Sequence, residues 1–431
     1  MSKAPISKEP TWRRVKFGDV VRDVKESEHN PADVGLSKFV AIEHIEPNEM
    51  FVKEYGCLST ESVSFTKRFR KGQVLFVKRR AYQRKVAIAK CDGICSSDIL
   101  TLEPLGKDLL PDLLPFIVQS DEFFEHALNT SSGSLSPRTR WSQLKSFEFD
   151  LPSLAKQKEI SPLLLAVVEA RQRFMNARDD AIACRESFLR FGFVGLTHGS
   201  KQLPKTHDIK RIELPKDWRL QPASKLCAEP CTRGYTPSDH LTPDEGDVPF
   251  LKVYNLTFDG ELDFSVKPFF LSREAHENVL KRSQVKPSDV LMNLTGPPMG
   301  KISRIPKEFP EGNINQAIVR FRPKNELLSK YLTLYLRSQW AQSWLFRRSK
   351  KTSGQRNLTL ALSEKLPVPV GPSGEMEDIV ASGERIDTAV SRVENLVETY
   401  LDLRRTLVRK LLNAETKNGT RPNPIGEGGG A

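Results

Sequence analysis

The sequence predicts a mixed α/β protein: two similar globular domains separated by two long antiparallel coiled-coil helices, built as a pseudo-twofold internal repeat. Three observations predict this. The chain has 431 residues, enough for two or three domains each with its own core. Short apolar and turn-forming segments of its first half return in the same order in its second half. Each half then closes on an apolar heptad longer than most globular helices.

The first domain is expected over residues 1–153 and the second over 196–373. WRRV at 12–15 is echoed by WRL at 218–220, and KFVAI at 38–42 by PFLKV at 249–253. GQVLF at 72–76 pairs with SDVLM at 288–292, and KVAI at 85–88 with KISR at 301–304 at the same offset. LTLEP at 100–104 answers VRFRP at 319–323, and FEFDLP at 147–152 answers LPVPVGP at 366–372. Runs this short, broken by Gly, Pro and Asn, read as strands and turns.

A first spacer helix is expected over residues 154–195. Ile160, Val167, Phe174, Ala181 and Phe188 recur every seventh position, with Leu163, Leu164, Ala170, Ala177, Cys184 and Phe191 as an alternate seam. A second is expected over 374–413, where Ile379, Ile386, Val393, Tyr400 and Leu407 repeat the phase and Ala389, Leu396 and Leu403 fill the alternate seam. Such helices are roughly 55 Å long at 1.5 Å per residue, and matching heptads should pair them. An approximate dyad between the halves would make them antiparallel, with the globules at opposite ends of a rod. Residues 414–431 read as a flexible tail.

Composition narrows the partner. There are 66 Lys+Arg against 54 Asp+Glu, a net charge of +12. No apolar run is long enough for a membrane span, and the six cysteines are too few for a disulfide scaffold, so a reducing cytoplasm is expected. From Thr66 to Lys90 stand ten basic residues and no acidic one; from Leu327 to Ser363 stand seven, again without a carboxylate. Cations without local neutralising partners attract a polyanion, and duplex DNA offers the twofold, linear ligand that two domains would meet.

The candidate DNA contacts follow. In the first domain they are Lys78, Arg79, Arg80, Tyr82, Gln83, Arg84 and Lys85, with a serine- and arginine-bearing loop at Ser134, Ser136, Arg138 and Arg140. In the second they are Asn293, Thr295 and Lys301, then Arg347, Arg348, Lys350, Lys351, Thr352, Ser353, Gln355 and Arg356. Arginine pairs bidentately with guanine, and Gln83 or Asn293 suits adenine. Most of the cations should hold phosphates, and Lys67 and Lys330 should be merely solvated.

Enzyme readings find little support. An amino-methyltransferase needs Asp, Asn or Ser before Pro-Pro-aromatic, and GPPM at 296–299 lacks both flanks. Asp98 and Asp289 stand alone where metal-assisted phosphodiester cleavage needs clustered carboxylates. The Cys91/Cys95 and Cys227/Cys231 spacings permit zinc, yet they fall at different repeat positions, so buried or idle thiols are expected and no metal. A pure coiled-coil scaffold leaves the basic runs unexplained.

Several segments resemble the specificity subunits of type I restriction-modification systems, from about Trp12 to Asn413. VLFVKRRAYQRKVA at 74–87 resembles a core segment of one recognition-domain class; VLMNLTG at 290–296 with GKI at 300–302 resembles another. LPSLAKQKEI at 151–160 is similar to the family's domain-to-spacer junction, whereas VGPSGEMEDI at 370–379 departs from it. The resemblance implies two target-recognition domains reading a bipartite, asymmetric DNA site, with helices that set the gap and dock two methylation subunits. It also implies that this chain binds no cofactor itself. S-adenosylmethionine would belong to the methylation subunits, and ATP with Mg to a motor-nuclease subunit.

Overall fold

The computed structural model describes residues 12–133, 136–193, 214–237, 241–242, 246–352 and 354–412. Its chain divides into two compact units, Met1–Asn176 with Val393–Ala431, and Ala177–Arg392. The boundaries thus cut across both long helices rather than running along the chain.

In the first unit the strands are β1 (Trp12–Lys16), β2 (Val21–Asp23), β3 (Lys38–Val40), β4 (Gly56–Cys57), β5 (Lys67–Phe69), β6 (Val74–Val77), β7 (Val86–Ile88), β8 (Gly93–Cys95), β9 (Ile99–Pro104) and β10 (Glu148–Pro152). The short helices are α1 (Phe17–Val20), α2 (Leu114–Val118), α3 (Asp121–Asn129) and α4 (Trp141–Leu144), and α5 (Leu154–Phe191) follows. One antiparallel sheet has the order β2-β9-β6-β7; a second, β4-β3-β8-β5, contains the parallel pair β3·β8. All four residues of β6 are buried, because both its faces are covered, which is why it reads as a continuous apolar run. Strand β1 pairs antiparallel with β10, so the chain enters and leaves the domain side by side. An aromatic core of Phe17, Phe76, Phe123, Phe124, Phe147 and Phe149 ties the sheet to α3. Ser120 caps α3, its Oγ accepting the Phe123 N–H at 3.1 Å.

The second unit holds β11 (Arg219–Pro222), β12 (Thr232–Arg233), β13 (Leu241–Thr242), β14 (Val248–Leu251), β15 (Phe269–Leu271), β16 (Gln284–Val285), β17 (Val290–Asn293), β18 (Thr295–Gly296), β19 (Ile302–Arg304), β20 (Gly312–Ile314), β21 (Ile318–Phe321), β22 (Lys350–Thr352), β23 (Gln355–Asn357) and β24 (Pro367–Val370). Its helices are α6 (Glu326–Arg337), α7 (Gln339–Arg348), α8 (Leu360–Glu364) and the start of α9 (Ser373–Leu412). The topology repeats. β12-β21-β17-β19 matches β2-β9-β6-β7, β15-β14-β20-β16 matches β4-β3-β8-β5 with β13 added at the edge, and β11·β24 matches β1·β10. The parallel pair recurs as β14·β20. Tyr331 and Tyr335 are fully buried on α6, and their hydroxyls donate to Pro369 O at 2.6 Å and Pro367 O at 2.7 Å. Those bonds satisfy two polar atoms that burial would otherwise penalise.

The long helices pack differently from the expected seams. On α9 the deeply buried positions are Met376, Gly383, Val390, Val397, Arg404 and Leu411, at every seventh residue, with Val380, Leu401 and Val408 beside them. Ile379 is buried with this stripe, but Ile386, Val393, Tyr400 and Leu407 are half-buried on its flank, and Ala389, Leu396 and Leu403 are exposed. On α5 the stripe runs through Gln157, Ser161, Leu164, Val168, Arg171 and Met175, then Arg178, Ile182, Arg185 and Leu189. Ile160, Val167, Phe174, Ala181 and Phe188 lie half-buried beside it, while Leu163, Ala177 and Cys184 are exposed. The physical reason is that the seam contains glutamine, serine, glycine and arginine, which an apolar count passes over. Gly383 lets α9 lie close to α6: a Cβ there would stand 2.7 Å from a terminal methyl of Leu334, which would have to shift. Within the first unit Phe174 meets Tyr400 at 5.2 Å between ring centroids, and Leu164 shares a cluster with Val408 and Leu411, so these helix segments run in opposite directions.

Candidate nucleic-acid interface

In the first unit the loop between β6 and β7 is a short 3-10 turn, Ala81–Gln83, bracketed by Arg80 (φ 55°) and Arg84 (φ 54°) in the left-handed region. Two such non-glycine residues are held only where surrounding bonds over-determine them. Here the Arg80 N–H donates to Pro137 O at 2.7 Å, and the Thr139 N–H donates to Lys78 O at 3.0 Å. Residues 136–139 therefore brace the loop over 78–85, so two separately expected segments form one surface. Arg79 Nε donates to Ser136 Oγ at 2.7 Å, and Asp98 stands 3.1 Å from Arg138 and 3.8 Å from Arg79. Arg80, Tyr82, Arg138 and Arg140 are exposed on this surface, and Lys78 and Gln83 are half-exposed. Ser134 lies outside the described residues.

The second unit makes the same pairing with different parts. The segment after β17 forms β18, which adds to the β22–β23 hairpin in the order β18-β23-β22. Arg347, Arg348, Lys350, Lys351 and Gln355 are exposed on and before the hairpin, whereas Thr295 and Lys301 are half-buried. Ser353 lies outside the described residues, and Thr352 is described only as part of β22. Arg356 lies flat on the Phe346 ring at 3.6 Å, with Nη1 donating to Phe346 O and Ser349 Oγ. It props the hairpin on α7.

Several nominated residues are committed to the fold. Asn293 is 1% exposed: its Nδ2 donates to Thr295 O and Pro298 O at 3.1 and 3.0 Å, and its Oδ1 accepts from Gly300 and Lys301 N–H at 2.7 and 2.8 Å. With all its hydrogen-bonding capacity used internally, it clamps the loop and cannot also read a base. Arg84 is pinned to Asp121 at 2.7 Å and lies over Phe124, and Lys85 Nζ donates to Ile42 O at 3.0 Å. Both face inward.

The carboxylate-free runs are also less bare than they read. Lys67 pairs with Asp23, Arg68 with Glu28 and Asp92, Arg70 with Glu26, Arg79 with Asp98, and Arg84 with Asp121. Lys330 pairs with Glu384 and Arg337 bidentately with Asp387. Lys67 and Lys330 are therefore ion-paired rather than solvated. The neutralising acids come from neighbouring strands and helices, which a window along the chain does not include. Among the described residues, Lys78, Arg80, Lys350 and Lys351 have no carboxylate in salt-bridge reach. Sequence reasoning missed Asp98 as the group that orients Arg79 and Arg138; its only signal was its place just before β9.

The acids and thiols weighed above sit in structural surroundings. Asp289 is buried and grips Arg322 through two 2.8 Å bonds. Burial pushes the Cys95 thiol up to about 12. Cys227 and Cys231 lie with their sulfurs 3.9 Å apart; the contact lowers the Cys227 thiol and, with burial, raises that of Cys231. Among the described residues no three His, Cys, Asp or Glu side chains are grouped to hold a metal ion, and no helix is long and apolar enough to cross a membrane.

Comparison with known proteins bears on the same region. Residues 11–182 match the family model described as the type I restriction modification DNA specificity domain. The specificity subunit of the type I restriction enzyme EcoDI from Escherichia coli is 28% identical over 150 residues, which are 35% of this chain and 33% of that protein. The chain thus spans about a third of the length of that curated relative. A structure solved in work on assembly and conformational transition of the type I R-M system aligns over 95% of this chain and 100% of its own, with a TM-score of 0.58 and 20% identity. The S subunit of a type I restriction-modification system from M. genitalium aligns over 95% and 98%, with a TM-score of 0.56 and 15% identity. These two likenesses show the fold.

Proposed function

We propose that this chain, a relative of type I specificity subunits whose residues 11–182 carry a DNA specificity domain, reads a bipartite, asymmetric duplex site, one half with each unit. The observation that carries the reading is the repeated pairing of loop and hairpin. In each unit the segment after the central strand meets a second loop or hairpin; exposed cations stand on both segments in the first unit, and on and before the hairpin in the second. The two surfaces are chemically unlike. Arg80, Tyr82 and Arg138 serve the first, Arg348, Lys350 and Lys351 the second, so the half-sites should differ. Phosphate contacts would position each unit and a few arginines would read base edges.

The helices α5 and α9 would set the gap between half-sites and dock two methylation subunits. Support comes from Leu163, at 60% exposure, and from Leu396 and Leu403, at 37% and 42%: apolar residues left outside the packed seam at heptad spacing. Exposed apolar stripes of that kind suit a partner helix. The chain itself performs no chemistry in this reading. S-adenosylmethionine is bound by the methylation subunits, and ATP with Mg by a motor-nuclease subunit, all in the cytoplasm. Methylome sequencing of a host with and without the gene tests the proposal. A methylated bipartite motif that disappears with the gene is expected; an unchanged methylome refutes it.

A further inference from the structure

Arg404 is the least expected residue of the packed seam. It is 6% exposed, and among the described residues its guanidinium makes one hydrogen bond, from Nη1 to Asn48 O at 3.3 Å. Among the described residues no carboxylate reaches it. Glu49 attracts it from beyond ion-pair distance, but is already held by Lys53 at 3.1 Å and by Arg171 at 3.4 Å. Burial, with Arg171 and Arg405 repelling it, lowers the guanidinium to about 10. A buried cation without a counter-ion is costly, and the fold keeps one.

The internal repeat supplies a control. Arg185 on α5 stands four residues after Ala181, as Arg404 stands four after Tyr400, and those two residues are heptad counterparts. Arg185 has its counter-ion: Asp259 lies 2.9 Å away. Asp259 follows the 3-10 turn Val253–Asn255 by four residues, and Asn48 follows the equivalent turn Ile42–His44 by four. The second unit therefore places a carboxylate on its seam arginine where the first offers only an amide residue.

The unfilled position opens into space. Arg404 lines a cavity of about 390 Å³ with Glu49, Phe51, Lys53, Lys90, Glu169 and Arg171. Its four cations outnumber its two carboxylates, Glu49 and Glu169. Phe51, 36% exposed and covered by the Lys90 ammonium at 5.0 Å, gives it an apolar wall suited to an aliphatic stem.

We propose that this cavity receives a carboxylate, carried by an acidic side chain of the polypeptide that docks on α5 and α9, which takes the place Asp259 holds in the other unit. The inference rests on the docking reading above. Because it calls for an acid on the partner, the two repeats would dock their partners with different strengths, the first more sensitive to salt.

The test uses the full-length chain, the methylation subunit made with it, and Asn48→Asp. Asn48 has φ 63°, a conformation that Asp also tolerates, so the change is close to isosteric. Supplying the acid internally should raise the melting temperature of the chain and weaken docking of the methylation subunit about tenfold, with Asn48→Gly, which adopts the same backbone without an acid, docking as wild type does. Arg404→Met should weaken docking by a similar factor, and the two changes together by no more than either alone. Glutarate as a free carboxylate should stabilise wild type but not Asn48→Asp. A melting temperature that does not rise in Asn48→Asp overturns the inference, because Arg404 was then already compensated. So does unchanged docking by a stabilised Asn48→Asp, which leaves the docking reading standing. Unchanged docking with weakened DNA binding by the assembled complex also overturns it, assigning the cavity to a phosphate. Failure of wild type to dock at all removes both proposals.

Discussion

Asn293→Ala separates a clamp from a base reader. The side chain makes four hydrogen bonds, two to carbonyls of the 295–298 segment and two from the Gly300 and Lys301 amides, in a site that is 1% exposed. At about 1 kcal/mol net for each bond, truncation costs about 4 kcal/mol. Water reaching the exposed Pro298 carbonyl returns part of this, leaving roughly 3 kcal/mol. Loss on that scale opens the loop locally rather than unfolding a unit worth about 5–15 kcal/mol. Native-state hydrogen exchange at the Gly300 and Lys301 amides reads the effect directly, and protection should fall about a hundredfold, since 1.4 kcal/mol is tenfold. Half-site affinity should drop with no change in the preferred base. Retained protection at both amides, together with a changed base at one position, would refute the clamp and restore Asn293 as a reader.

Three further outcomes are expected. Arg80→Ala should weaken affinity for the first half-site only and reduce the slope of log affinity against log salt by about 1, measured by titration at several ionic strengths. Asp98→Asn should release Arg79 and Arg138 from their shared acid; first-half-site affinity should rise at low salt while discrimination falls, and equal effects on both half-sites would count against two separate reading surfaces. Leu396→Glu with Leu403→Glu should abolish methylation-subunit docking while lowering the melting temperature by only about a few degrees, because both side chains are only partly covered. A collapse in stability would place them in the core instead.

The sequence alone carries the duplicated order of strands, the position and length of both long helices, and the segments that bear the two candidate surfaces. Each is written in local pattern: alternation and turn residues for strands, a seven-residue period for helices, recurrence for the repeat. It did not determine which face of each helix is buried. The packed stripe passes through Gln157, Arg171, Gly383 and Arg404, and those residues are inside because a neighbouring element supplies a hydrogen bond or needs their small volume. Nor did it determine which cations are available to a ligand. Lys67, Arg70, Arg84 and Arg337 meet acids contributed by other strands and helices. Asn293 carries the composition of a reader and the environment of a clamp. Tertiary structure decided these points because charge compensation and hydrogen-bond satisfaction are settled between residues near in space, whatever their separation along the chain.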